Sequence, residues 1–162
     1  MPQQSPAMYF EDYELGQTMC SAPRTVTDAD IAHFATLSGD QNPLHMDADY
    51  ARETVFGGRI AHGLLGLAIA SGLAAQAGFV DRTVLAFTGL DWKFRNPIRP
   101  GDSILVAAEV GRLRAMPSLG GGLVVLQVTV RNQDEVVVQQ GNWSLLVKAR
   151  CCAPEAGTAL DQ

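Results

Sequence analysis

The sequence has little that would support binding to nucleic acid. Its 12 Lys and Arg residues are outnumbered by 17 Asp and Glu residues, and the net charge is −5 at pH 7. A general nucleic-acid binder needs a basic stripe that neutralises phosphates, and the sequence contains none. This excludes a nucleic-acid partner, although a local cluster of Lys and Arg can still bind an anionic ligand.

Cysteine is also scarce. The three cysteines are Cys20, Cys151 and Cys152, an odd number with two adjacent residues and no CxxC spacing. This pattern is neither a disulfide framework nor a metal-binding pair, so we expect no metal and a reducing, cytoplasmic environment. Residues 1–7 contain neither a basic segment nor an apolar one, and we therefore expect no signal peptide.

A long run of Leu, Ile and Val is missing too, although residues 60–80 carry no charge. That segment contains His62, Ser71 and Gln76 together with four glycines, which is unlike a transmembrane helix. We expect no membrane partner. The apolar character predicts instead a helix that is buried on all sides within a folded domain.

The composition that remains is typical of one folded domain. The chain has 162 residues, of which 47% are hydrophobic and 18% are charged, so it can bury a sizeable core. We predict a single domain over residues 1–150 and a flexible C-terminal tail over residues 151–162.

Hydrophobic patterning predicts helices in the first half of the chain and strands in the second. A strand over residues 17–26 precedes a helix that Thr27 caps and that ends at Ser38, and a short helix over residues 47–54 follows. After the long apolar helix, four strands are predicted: Thr83–Arg95, Ser103–Leu113, Leu123–Arg131 and Val136–Lys148.

This order of elements indicates an α+β fold. One apolar helix is covered by a small antiparallel sheet only if the sheet curls round it, which is the hot-dog arrangement. Such a sheet leaves an open edge, so we expect it to pair edge to edge in a homodimer or a higher homo-oligomer.

A polar, turn-rich segment lies shortly before the apolar helix and holds two groups that can transfer protons. Asp40 and His45 are five positions apart on what we expect to be an irregular loop, and Pro43 between them stiffens the backbone. An acid and an imidazole on a stiffened loop beside an apolar helix suit a small acid–base site.

These residues resemble the hydratase signature of the MaoC-like family, the (R)-specific enoyl-CoA hydratases and related acyl dehydratases. The resemblance extends over residues 10–148. Two blocks carry it: Gly39-Asp40-Gln41-Asn42-Pro43-Leu44-His45 and Ile60-Ala61-His62-Gly63-Leu64-Leu65. It implies a hot-dog fold, at least a homodimer, and an acyl-CoA thioester substrate. It implies no separate cofactor, because coenzyme A is part of the substrate.

The resemblance also implies roles for individual residues. The catalytic acid falls on Asp40 and the catalytic histidine on His45. The oxyanion donor, a backbone N–H at the start of the central helix, falls on Gly63, and a helical serine near the substrate falls on Ser71. Adding water to an unsaturated thioester needs a base, an acid and a stabilised enolate oxygen. The acid–histidine pair can hold one water and make both proton transfers, and a helix N-terminus has the correct dipole for the oxygen.

Other polar residues near these blocks have alternative roles. Asn42 is a candidate substrate contact, but a brace for the loop is the commoner role of such a residue. Ser71 is open between substrate contact and close packing. His62 is a second catalytic candidate, but we expect it to brace the loop. Three basic side chains are solvated surface charges unless one or two of them contact the CoA phosphates: Lys93, Arg95 and Arg99.

Two further functions are compatible with a hot-dog fold. An acyl-CoA thioesterase would direct an activated water at the thioester carbonyl, and release of free thiol would reveal it. A non-catalytic acyl-CoA-binding subunit would not need a matched acid–base pair. The spacing of Asp40 and His45 favours a hydratase/dehydratase that adds water reversibly to give a 3-hydroxyacyl-CoA.

Overall fold

The computed structural model describes residues 7–80 and 82–150. Two 3-10 turns, Phe10–Asp12 and Pro117–Leu119, accompany the regular elements. The strands and helices in chain order are β1 (Thr18–Cys20), β2 (Arg24–Thr25), α1 (Asp28–Ser38), α2 (Pro43–Met46), α3 (Ala48–Arg52), α4 (Gly63–Gln76), β3 (Val84–Phe94), β4 (Ser103–Met116), β5 (Gly121–Arg131) and β6 (Val137–Lys148). The predicted tail, residues 151–162, lies outside the described residues.

The strands form one antiparallel sheet with the order β1-β4-β5-β6-β3, and β2 pairs with the same strand as β1. Register shifts interrupt the pairing of β4 with β5 and of β3 with β6. Such irregularities increase the local twist and bend of a strand, which helps the sheet to curl round α4. The predicted α+β class and hot-dog fold are confirmed.

The core lies between α4 and the concave face of the sheet. The helix residues that face inward are small or aliphatic: Leu65, Gly66, Ile69, Ala70, Leu73 and Ala74. Large buried side chains of the sheet, such as Trp143 and Leu126, belong to the same cluster. The prediction that α4 is buried on all sides is wrong for the single chain, because the sheet covers only one side. Leu64 is 61% exposed, and Ser71 is exposed as well.

Strand boundaries differ from the prediction by more than one residue at two places. Residues 17–26 form two short strands and not one, because Pro23 has no N–H to donate to the sheet and the Ser21 hydroxyl accepts the N–H of Val106 at 3.0 Å. β4 continues to Met116 and β5 begins at Gly121, so the connection between them is shorter than the predicted strands Ser103–Leu113 and Leu123–Arg131 leave.

Local capping defines α1 as the sequence predicts. The Thr27 hydroxyl accepts the N–H of Asp30 at 3.1 Å, and the Asp30 carboxylate accepts the N–H of Thr27 at 2.8 Å. At the other end Gly39 has a φ of 78°, and its N–H donates to the carbonyl of Ala35 at 3.0 Å. A left-handed backbone conformation at this position favours glycine, which has no Cβ atom. The helix therefore delivers the chain directly to Asp40.

The segment after Asp40 is more regular than predicted. Residues 43–46 form a helical turn, α2, and His45 lies on it and not on an irregular loop. The Asn42 side chain caps this turn by accepting the N–H of Leu44 at 2.9 Å. Pro43 occupies the first helical position, where its fixed φ is suitable and its missing N–H costs nothing. Within the described residues, no helix is long and apolar enough to cross a membrane.

Candidate active site

Two segments of backbone meet at the start of α4 and hold each other in place. His45 on α2 hydrogen bonds through Nδ1 to the carbonyl of Ile60 at 2.8 Å. His62 hydrogen bonds through Nε2 to the carbonyl of Asp40 at 3.0 Å. A carbonyl oxygen only accepts, so both of these nitrogens carry a proton. In the neutral form of each ring, the other nitrogen, Nε2 of His45 and Nδ1 of His62, carries a lone pair.

The Asp40 carboxylate lies beside the His45 ring. One carboxylate oxygen accepts the N–H of Asn42 at 3.2 Å, and the side chain is exposed while His45 is buried. The ligand atoms of Asp40, His45 and His62 all lie within 4.8 Å of one another. A water that makes two hydrogen bonds of about 2.8 Å bridges groups that are roughly 4.6 Å apart. The carboxylate and the imidazole can therefore share one water.

His62 packs against this pair. Its ring centroid is 3.9 Å from that of His45 and 5.0 Å from that of Phe34. The residue is 2% exposed, and its Nδ1 has no hydrogen-bond partner in the described part of the chain. The hydrogen bond to the Asp40 carbonyl supports the predicted role of His62 as a brace for the loop.

A cavity of about 730 Å³ opens next to His45 and the start of α4. Its walls are mostly apolar and include a few polar groups, which is the usual composition of a small-molecule site. The lining residues are His45, Phe56, Ile60, Ala61, Gly63, Leu64, Phe94, Arg95, Asn96, Pro97, Ile98 and Gln139.

Gly63 is the first residue of α4 and faces this cavity. Its N–H is one of the N-terminal donors that have no acceptor within the helix. A Cβ atom at this position would lie 2.8 Å from the ring of Phe94, so glycine allows the ring to approach the helix start. The position therefore combines a backbone N–H that no helix carbonyl accepts with a place on the cavity wall beside Phe94.

Residues 12–132 match the family model of the MaoC like domain. The chain belongs to the MaoC-like dehydratase family. The (R)-specific enoyl-CoA hydratase of Rhodospirillum rubrum is 33% identical over 150 residues, which cover 88% of this chain and 93% of that protein. The crystal structure of the MaoC-like dehydratase from Rhodospirillum rubrum has a TM-score of 0.81 and 30% identity, and the match covers 88% of this chain and 98% of that one.

A longer relative shares the motif region as well. Protein MaoC of Klebsiella aerogenes is 42% identical over 99 residues, which cover 60% of this chain. The match spans 29% of the length of that protein. The MaoC-like unit described here therefore corresponds to less than a third of this relative.

The structure separates Ser71, but not Asn42, from the Asp40–His45 pair of this MaoC-like protein. Asn42 lies between Asp40 and His45, but its side-chain oxygen caps α2. Ser71 lies two turns along α4, where its hydroxyl donates to the carbonyl of Ala68 at 2.9 Å. Ser71 does not line the cavity of His45. It lines a second, apolar cavity of about 310 Å³, and Leu64 borders both cavities.

Sequence reasoning missed a buried polar residue of the MaoC-like cavity, Gln139. It is 2% exposed and lies on β6 beside the start of α4. The signal was present in the sequence, because Gln139 is in phase with the buried Trp143, Leu145 and Val147 on alternate positions of the strand. A glutamine at an inward position of a strand needs hydrogen-bond partners.

Three side chains of the site could in principle hold a cation: Asp40, His45 and His62. Each imidazole already uses one nitrogen to bind a backbone carbonyl, so only the second nitrogen of each ring is free to bind a metal. The expectation that this MaoC-like protein uses no metal stays a prediction.

Proposed function

We propose that this protein is a hydratase/dehydratase that adds water reversibly to an α,β-unsaturated acyl-CoA thioester and forms a 3-hydroxyacyl-CoA. The observation that carries the proposal is the placement of the Asp40 carboxylate within 4.8 Å of a ring nitrogen of His45, in a site whose cavity also exposes Gly63. Relatives named (R)-specific enoyl-CoA hydratase and 3-hydroxybutyryl-CoA dehydratase support it.

In the hydration direction, one water lies between Asp40 and His45. The water gives a proton to this pair while its hydroxyl oxygen bonds to Cβ of the substrate. Electrons move to the thioester oxygen, where the N–H of Gly63 stabilises the enolate. The pair then returns a proton to Cα, so the protonation state at the end equals that at the start. The lone pair on Nε2 of His45 suits the acceptance of a proton.

The cavity suggests how the substrate lies. The thioester occupies the wall formed by His45 and Gly63, and the acyl chain passes Leu64 toward the second cavity, where Ser71 contacts it. We assign Asn42 an indirect role, as the cap that orients α2 beneath the substrate. The size of the acyl group is then limited by how Leu64 separates the two cavities.

Coenzyme A brings phosphates, and Arg95 is the basic residue that lines the cavity. Within residues 7–80 and 82–150, no carboxylate lies within salt-bridge distance of Arg95. Arg99, in contrast, donates to the carbonyl of Phe56 at 2.7 Å. Arginine geometry matches phosphate oxygens, so we propose that Arg95 contacts a CoA phosphate.

We also propose a homodimer. β3 is an edge strand, and the described residues provide no partner for its outer edge. Large apolar side chains are exposed along this strand and at the start of α4: Leu64, Leu85, Phe87, Leu90 and Phe94. An unpaired apolar edge of this kind associates unless it is covered, and a second copy of the chain can cover it symmetrically.

A hydration assay over a panel of enoyl-CoA substrates tests the proposed function. The conjugated thioester loses its absorbance as water adds, and we expect turnover with at least one chain length. Free thiol should not be released at a comparable rate. Rapid thiol release without hydration would identify a thioesterase, and binding of acyl-CoA without either reaction would identify a non-catalytic subunit. Both results would contradict the proposal.

A further inference from the structure

Gln139 connects the two strands at this edge of the sheet with the first residue of α4. Its side-chain oxygen Oε1 accepts the indole N–H of Trp92 at 3.1 Å. Its nitrogen Nε2 donates to the carbonyl of Gly63 at 2.9 Å. An indole N–H only donates and a carbonyl only accepts, so the two partners determine which way the amide points.

The helix comes close to Gln139 because residue 66 has no side chain. A Cβ atom at Gly66 would lie 2.3 Å from Nε2 of Gln139 and 2.7 Å from Cδ1 of Ile98. Gly66 is one turn after Gly63 on the same helix. The first turn of α4 is therefore packed directly onto the glutamine amide.

We propose that Gln139 is a positioning residue that orients the backbone at Gly63, and the proposal rests on the oxyanion role inferred above. The N–H of Gly63 belongs to the planar His62–Gly63 peptide group and the carbonyl of Gly63 to the next one, and the two groups are joined only by the φ and ψ of Gly63, which vary most widely in glycine. The hydrogen bond from Gln139 holds the carbonyl of the same residue. The indole of Trp92 in turn holds the glutamine, so the restraint reaches Gly63 from two strands, β3 and β6.

The test compares Gln139→Met with Gln140→Met. Methionine keeps the length of glutamine but cannot donate to Gly63. Gln140 is the next residue of β6 and is partly exposed, so the same change there is a matched control. Complete loss of an oxyanion donor lowers kcat by about 10²–10³-fold, and a misaligned donor should lower kcat by a smaller factor. We expect Gln139→Met to lower kcat about tenfold with little change in KM, and Gln140→Met to change neither.

A second measurement does not depend on catalysis. The amide nitrogen of Leu64 shares a peptide group with the carbonyl of Gly63, so its chemical shift reports a hydrogen bond to that carbonyl. We expect the shift of Leu64 to change in Gln139→Met and to stay constant in Gln140→Met. If the wild-type protein hydrates no enoyl-CoA but the shift changes, the proposed function fails while the restraint on Gly63 stands.

Retention of kcat in a folded Gln139→Met variant would overturn the positioning role, as would an unchanged Leu64 shift. If Gln139→Met does not fold, Gln139→Glu replaces it, because glutamate keeps the length and polarity but presents an oxygen where the donor was. The same loss of kcat is expected there. Wild-type kcat in Gln139→Glu at neutral pH would overturn the proposal.

Discussion

The imidazole rings of His45 and His62 stack with their centroids 3.9 Å apart and their planes inclined by 32°. Each ring also binds a carbonyl of the segment that carries the other, His45 to Ile60 and His62 to Asp40. The helical turn α2 and the start of α4 therefore fix each other. This mutual arrangement holds the Asp40–His45 pair and Gly63 in one site.

The first prediction concerns that pair. Asp40→Asn and His45→Ala should each lower kcat by at least about 10²-fold, because each removes one proton-transfer group. The double variant should be little worse than either single variant, since groups that act as a unit are not additive. Steady-state kinetics on an enoyl-CoA, with circular dichroism as the control for folding, measure the effect. Near-normal turnover in either folded single variant would show that the pair is not the acid–base centre.

The second prediction concerns Gly63. Gly63→Pro removes the N–H at the first position of α4, where proline is tolerated, and the preceding His62 has a ψ of 136° that suits a residue before proline. Gly63→Ala is the matched control, because it adds a Cβ against Phe94 but keeps the N–H. We expect kcat to be about 10²-fold lower in the proline variant than in the alanine variant, with a modest change in KM. Equal kcat values would make Gly63 a packing residue.

The third prediction concerns Arg95. Arg95→Gln should raise KM for an enoyl-CoA by about five- to tenfold, which corresponds to about 1–1.4 kcal/mol. The KM for the same acyl group on pantetheine, which lacks the nucleotide phosphates, should not change. Lys93→Gln is the control, since Lys93 is exposed but does not line the cavity. An equal rise in KM for both thioesters would exclude a phosphate contact.

The fourth prediction concerns assembly. Light scattering should give the mass of a dimer for the wild-type protein at assay concentration. Leu85→Glu should shift the protein toward monomer, because Leu85 is 50% exposed on the edge strand β3 and a charge there opposes burial. Val136 is 41% exposed on the turn before β6, so Val136→Glu serves as the control and should stay dimeric. A stable, fully active wild-type monomer would contradict the dimer.

The fifth prediction concerns Asp30 at the start of α1. Partial burial would raise the pKa of its carboxyl, but hydrogen bonds from the N–H and hydroxyl of Thr27 and the charge of Arg24 outweigh it and lower the pKa. A lowered pKa means that the stabilisation is present above the unfolded pKa and is lost as pH falls through the folded pKa. Asp30→Asn keeps an acceptor but removes the charge.

Denaturant unfolding of the two proteins at pH 7 and at pH 3 measures this effect. Asp30→Asn should lower the free energy of unfolding by about 0.3–1 kcal/mol at pH 7. The difference between wild type and variant should shrink below about pH 4, where the unfolded carboxyl is protonated. A difference of the same size at both pH values would show that the charge of Asp30 does not contribute.

Local sequence determined several features by itself. The capping pair of Thr27 and Asp30 and the glycine at position 39 specify both ends of α1, because each interaction joins residues three or four positions apart. The segregation of helices and strands and the single apolar helix predicted the hot-dog fold. The five-residue spacing of Asp40 and His45 predicted that an acid and an imidazole meet in one short segment, and their ligand atoms lie within 4.8 Å of each other.

Tertiary structure decided the features that depend on distant partners. His45 is held by Ile60, which is 15 positions away, and Gly63 is bound by Gln139, which is 76 positions away. One side of α4 is exposed because the curled sheet covers only the other side. Ser71 lies apart from the Asp40–His45 pair because Leu64 stands between the cavity that Ser71 lines and the cavity that His45 lines. Hydrophobic periodicity predicts which side of an element is apolar. Only the packing of the folded chain determines which element covers that side and which polar side chains of the covering element contact it.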